Sequence, residues 1–186
     1  MNAAVQPNEV QVRVWSRYVR LFHWSLVGCV AVAWLSSGEI MKLHELAGYS
    51  AAALIASRLV AGLTGSRYAR FSQFVRGPRA VTSYLADMRR GRERRYIGHN
   101  PAGGAMVIAL LACLAAIALT GWLQTTDSWW GVAWLEDAHK VLGNAILVLV
   151  GLHIGGVLFA TVRHHENLVR AMFTGRKRAP LPEDIA

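Results

Sequence analysis

Four apolar stretches, at 18–36, 44–63, 101–123 and 138–162, divide this chain of 186 residues. Each lies near the ~20 residues that a helix needs to cross a hydrocarbon core about 30 Å thick. Lipid offers no hydrogen-bond partners, so a backbone crossing it must satisfy its own polar groups, which leaves helices packed on one another. The expected fold is therefore an all-α membrane protein, a four-transmembrane-helix bundle forming one domain over residues 1–186. The five prolines, at 7, 78, 101, 180 and 182, leave every stretch interior intact, so straight helices are expected. Asn100 before Pro101 supplies a capping side chain and a first-turn proline for the third span. No small-residue cleavage site follows the first stretch, which reads as a span rather than a secretory signal.

The chain is 54% hydrophobic yet carries a formal net charge of +9, and the placement of its twenty Lys and Arg residues explains that charge. Nine fall between spans 2 and 3, three at or before the start of span 1, five from Arg163 onward, one in the first loop, and none between spans 3 and 4. Cytoplasmic loops of membrane proteins are enriched in these residues. Both termini and the basic loop are thus expected in the cytoplasm, in a multi-pass membrane protein surrounded by lipid. Insertion topology accounts for the basic residues, and no nucleic-acid partner is expected.

Within the basic loop, Val81, Tyr84, Leu85 and Met88 recur at helical spacing between Pro78 and Gly91. This predicts an amphipathic interfacial helix over about 78–90, its arginines toward anionic headgroups. In the C-terminal tail, 164–186, Leu168, Val169, Met172 and Phe173 repeat the pattern as far as Gly175. Residues from Arg176 onward, with Pro180 and Pro182, read as a loose end. Trp15, Tyr18 and Trp24 on one side, and Trp122, Trp129, Trp130 and Trp134 on the other, read as interfacial belts. Cys29 and Cys113 lie mid-span and read as small buried residues. The sequence has no Cys-x-x-Cys-His, so covalent c-type haem attachment is not expected.

His139 and His153 lie fourteen residues apart in span 4. At about 100° and 1.5 Å per residue they return to within about 40° of one direction while rising roughly 21 Å. They share a helix face but stand too far apart to hold one ion. Topology gives His23 an inner depth in span 1 and His44 an outer depth at the start of span 2, so His23 pairs with His153 and His44 with His139. Neutral imidazole is a strong axial ligand for haem iron, and two of them saturate it. The expectation is two haem b groups, one in each half of the bilayer. His44 with Gly48, and His139 with Gly143, form His-x-x-x-Gly pairs that either open space beside a macrocycle or mediate helix packing. Arg58, inside span 2, either snorkels to the headgroups or pairs with a propionate of the inner haem, and the second reading is preferred. His99, His164 and His165 are expected as surface groups of the cytoplasmic interface.

With their surroundings, these residues resemble the bacterial cytochrome b561 family and its relatives, the b-type cytochrome subunits of nickel-iron hydrogenases. The matching stretches are Arg20-Leu21-Phe22-His23-Trp24, His44-Glu45-Leu46-Ala47-Gly48-Tyr49, Gly98-His99-Asn100-Pro101, and His139 with Gly151-Leu152-His153. The tail from His165-Glu166-Asn167 to Gly175-Arg176-Lys177 also fits, so the likeness covers nearly the whole chain. Hydrogenase b subunits are typically somewhat longer. The resemblance implies a bundle with two non-covalent b haems, metal ligands at His23, His44, His139 and His153, and electron exchange with quinone.

The expected function is transmembrane electron transfer by a di-haem cytochrome b, between a periplasmic redox partner and the quinone pool of a respiratory chain. The partner would be a cytochrome c or a dehydrogenase or hydrogenase subunit. A stand-alone superoxide/quinone oxidoreductase is the alternative, which Asp127, Glu136 and Asp137 disfavour by repelling an anion from the outer loop. Whether the chain is itself an enzyme stays open. A haem-free anchor or helical transporter is the remaining reading.

Overall fold

The computed structural model describes residues 10–185. A short strand, β1 (Gln11–Arg13), precedes α1 (Arg17–Ser36) and α2 (Met41–Thr64). A single 3-10 turn (Arg67–Ala69) and α3 (Phe71–Phe74) lead to α4 (Pro78–Arg89). The chain then forms α5 (Pro101–Gln124), α6 (Ala133–Arg163), α7 (Leu168–Thr174) and a second strand, β2 (Arg176–Arg178). Helices α1, α2, α5 and α6 are each long and apolar enough to cross a membrane.

Local chemistry sets the helix starts. Ser16 Oγ accepts the Val19 N–H at 3.3 Å, and Asn100 Oδ1 accepts the Gly103 N–H at 2.7 Å with Pro101 in the first turn. Glu136 stands in the first turn of α6, where the positive end of the helix dipole favours a carboxylate. At 31 residues α6 is about 46 Å long and outreaches the hydrocarbon.

The closest helix packing runs α1 on α2, α2 on α5 and α5 on α6, with α4 leaning against α5. Ile55, Leu114 and Ile146 form the buried centre, with Leu26, Val30 and Ile117 packed around them. Around this centre the helices turn apolar side chains outward: Leu35 is 72% exposed, Leu63 76% and Val162 73%. Hydrocarbon is the environment that suits such a surface.

A second core lies where the termini meet, built from Val14, Trp15, Val19, Ala69, Ile97 and Ala171. Trp15 is therefore an interior residue rather than part of a belt, and the tail beyond Arg176 is not a loose end. β2 pairs antiparallel with β1, Gln11 opposite Arg178. The Val14 and Trp15 N–H groups both donate to the Gly175 carbonyl, at 2.9 and 3.1 Å. Gly175 has φ 79°, and a Cβ there would lie 2.6 Å from the Trp15 carbonyl oxygen, so glycine alone permits this approach. Arg95 then clamps the tail. Its guanidinium donates to both Glu166 carboxylate oxygens at 2.7 and 3.2 Å, to the Arg178 carbonyl at 2.9 Å, and to Asp184. Backbone bonds between Ile97 and Ile185, and between Ile185 and Arg95, both 2.9 Å, extend the attachment almost to the chain end.

Candidate functional site

Among the described residues, α6 makes no close backbone packing with α1 or α2 comparable to its packing on α5. Four imidazoles reach across that opening. His23 of α1 faces His153 of α6 with ring centroids 6.4 Å apart and planes at 49°. His44 of α2 faces His139 of α6 at 6.0 Å and 76°. Fourteen residues of α6 separate the two pairs, roughly 21 Å along its axis. Among the described residues no cluster of three or more His, Cys, Asp or Glu side chains converges. Each pair offers two imidazole nitrogens, a donor set that suits an ion whose remaining ligands come from a planar macrocycle.

Second contacts fix the rings of the His44–His139 pair. His44 Nδ1 lies 2.7 Å from the Ala33 carbonyl of α1, and because a carbonyl only accepts, Nδ1 must carry the proton. Thr120 of α5 donates its hydroxyl hydrogen to the Ala116 or Ile117 carbonyl, at 2.9 and 3.0 Å. Its oxygen is then left to accept from His139 Nδ1 at 2.9 Å. On both rings Nε2 keeps its lone pair for a metal, the arrangement in which a second partner orients an imidazole ligand. Gly121 makes room for His139: a Cβ there would sit 3.1 Å from His139 Cε1. Neither Thr120 nor Gly121 is singled out by the sequence, although a glycine after a threonine on an apolar helix is a usable signal once the neighbouring histidine is known. A Cβ at Gly48, Gly143 or Gly156 would meet nothing within 4 Å, so the helices are recessed close to three of the histidines.

The His23–His153 pair is set differently. His23 Nδ1 is buried without a hydrogen-bond partner among the described residues, and Trp24 meets the ring edge-on at 4.9 Å. Trp24 in turn stacks at 4.4 Å on Phe173 of α7, so the tail closes over this end of α1. Arg58 is 4% exposed, which removes the reading that it snorkels to the headgroups. Its guanidinium carbon lies 5.0 Å from the centre of the Phe71 ring, and its buried Nη1 has no acceptor among the described residues. Phe71 can close on α2 because position 62 is glycine, where a Cβ would overlap the ring.

His99 is not a surface group. Its ring lies between Trp15 at 4.8 Å and Phe74 at 4.7 Å, with Nδ1 buried and without a partner among the described residues. Burial, followed by the nearby Lys177 and Arg58 cations, pushes its pKa down to about 3, so it is neutral at physiological pH. His164 is half-buried, and His165 is exposed with a φ of 49°.

A family model described as prokaryotic cytochrome b561 matches residues 14–175 and includes all four paired histidines. No curated protein and no solved structure matches the chain. By that match, the chain belongs to the prokaryotic cytochrome b561 family, helical membrane bundles that bind b-type haem and carry electrons across the membrane.

Proposed function

We propose that the chain, as one membrane domain, is a di-haem electron carrier in which His23 with His153 and His44 with His139 hold two haem b groups. The observation that carries this reading is the spacing within each pair. Two metal–imidazole bonds of about 2 Å each, end to end with the two ring radii, separate ring centres by roughly 6 Å. The separations of 6.4 and 6.0 Å agree with that without any movement of the helices. The outer rings already present Nε2, and the buried Nη1 of Arg58 is an orphan donor of the kind a propionate satisfies.

When bound, b-type haem supplies one-electron exchange at an iron with no free position for oxygen. The residues do the rest. The four imidazoles fix two positions along α6, Ala33 and Thr120 hold the outer rings in one tautomer, and Arg58 provides a compensating positive charge beside the inner position. Ile55, Leu114 and Ile146 keep the surroundings apolar, which tunes potential and excludes water.

In our reading the outer position faces a periplasmic partner, a cytochrome c or a dehydrogenase or hydrogenase subunit, and the chain exchanges electrons with quinone. Both termini lie in the cytoplasm, and the membrane is the bacterial inner one; the charge distribution supports this sidedness. Reduced-minus-oxidised spectra of single variants test the pairing. His23→Ala and His153→Ala should each remove the same haem component, about half of the signal, with the other retained. Selective loss of different components would overturn it.

A further inference from the structure

Strands β1 and β2 and helix α7 border an open recess of about 430 Å³, lined by Arg13, Arg170, Arg176, Lys177 and Arg178 together with Glu166. Among the described residues Glu166 is the one carboxylate in this lining, and it is already committed. Glu166 Oε1 accepts from Arg95 at 2.7 Å and from the Arg178 backbone N–H at 2.8 Å, and Oε2 accepts from Arg95 Nε at 3.2 Å. Among the described residues, the guanidinium groups of Arg13, Arg170, Arg176 and Arg178 have no carboxylate partner. Arg178 Nε is buried with no acceptor among the described residues. Lys177 is 7% exposed, its ammonium 5.8 Å from the centre of the Trp15 ring and 3.9 Å from Glu166. Like charges gathered in a recess, with a buried donor left over, are the complement of an anion that brings several acceptor oxygens.

We propose that this cavity binds the phosphate of an anionic phospholipid headgroup. Arginine forks match phosphate oxygens, and the cavity has the size of a small-ligand site rather than of a whole lipid. Its place in the fold selects the source of the phosphate. The Arg20 guanidinium donates to the Phe173 carbonyl, and Trp24 stacks on Phe173, which fastens α7 against the end of α1 where the apolar span begins. Beside the cavity Val169 is 43% exposed, Phe173 58% and Leu21 69%, an apolar flank that continues from the tail onto the spanning helix. A phosphate in the cavity would thus sit at headgroup level with acyl chains alongside that flank.

Thermal unfolding of the whole purified protein in detergent, followed by tryptophan fluorescence, reads the site without reference to haem. Added phosphatidylglycerol should raise the midpoint by about 5 °C, and phosphatidylcholine should not. The pair Arg170→Gln and Arg176→Gln removes two side chains that make no hydrogen bond or ion pair among the described residues. It should leave the lipid-free midpoint in place and lose more than half of the phosphatidylglycerol shift, and the matching Lys pair should retain it. Native mass spectrometry should show phosphatidylglycerol retained on the unaltered chain and lost from the Gln pair. An equal shift with phosphatidylcholine, or a full shift in the Gln pair, overturns the proposal. So does inorganic phosphate alone reproducing the shift, which would make this a site for a soluble anion.

Discussion

Thr120 is the side chain that ties the chemistry of the outer site to the packing of the bundle. Its oxygen is the acceptor for His139 Nδ1, so Thr120→Val keeps the shape and removes the orienting bond. Retention of the outer haem is expected to weaken about ten-fold, with the inner component unchanged, as measured by haem loss to an acceptor protein. His99 gives a second residue-level test. Its folded pKa lies below its unfolded one, so the folded state resists protonation, and its stabilising contribution is complete above about 6.5 and lost as pH falls toward about 3. His99→Phe keeps a ring between Trp15 and Phe74 and should remove acid sensitivity on the order of 3 kcal/mol across that window, seen in unfolding midpoints at stepped pH. The four paired histidines were legible in the sequence because helical periodicity and span direction set their faces and depths. Thr120, Gly121 and His99 were not, since a hydropathy pattern carries no information on how α5 is rotated against α6, or on which loop ring is enclosed.

At the scale of elements, the clamp on the tail deserves the sharpest test. Arg95 is 6% exposed and joins Glu166 to Asp184, so Arg95→Ala would leave two buried carboxylates without their shared hydrogen-bonding cation, Lys177 alone remaining near Glu166 at 3.9 Å. The expected cost is about 3–5 kcal/mol, with β2 released from β1 and the tail cut by protease at concentrations that spare the unaltered protein. Lost resistance should be confined to residues after α7, since the long helices keep their own packing. The apolar stripes of α4 and α7 are visible in sequence as 3.6-residue repeats. The strand pair is not: three residues are too few for an alternating pattern, and Gln11 meets Arg178 across nearly the whole chain. Charge complementarity between Arg95 and Glu166 is equally silent until the fold brings the two together.

For the whole molecule, composition alone made a membrane bundle legible, because four long apolar helices in one chain admit few alternatives. What composition does not contain is the order of packing, in which α6 follows α5 closely yet leaves an opening toward α1 and α2. That opening is where both imidazole pairs meet, and in the proposed reading it gives the bundle two fixed haem positions along one helix. The most direct measurement is the amount of non-covalent haem b extracted per chain from the purified protein. The account expects two in the unaltered chain and one after either His44→Ala or His139→Ala, each variant keeping the same inner component. A single haem in the unaltered chain, or two retained after either substitution, would contradict it.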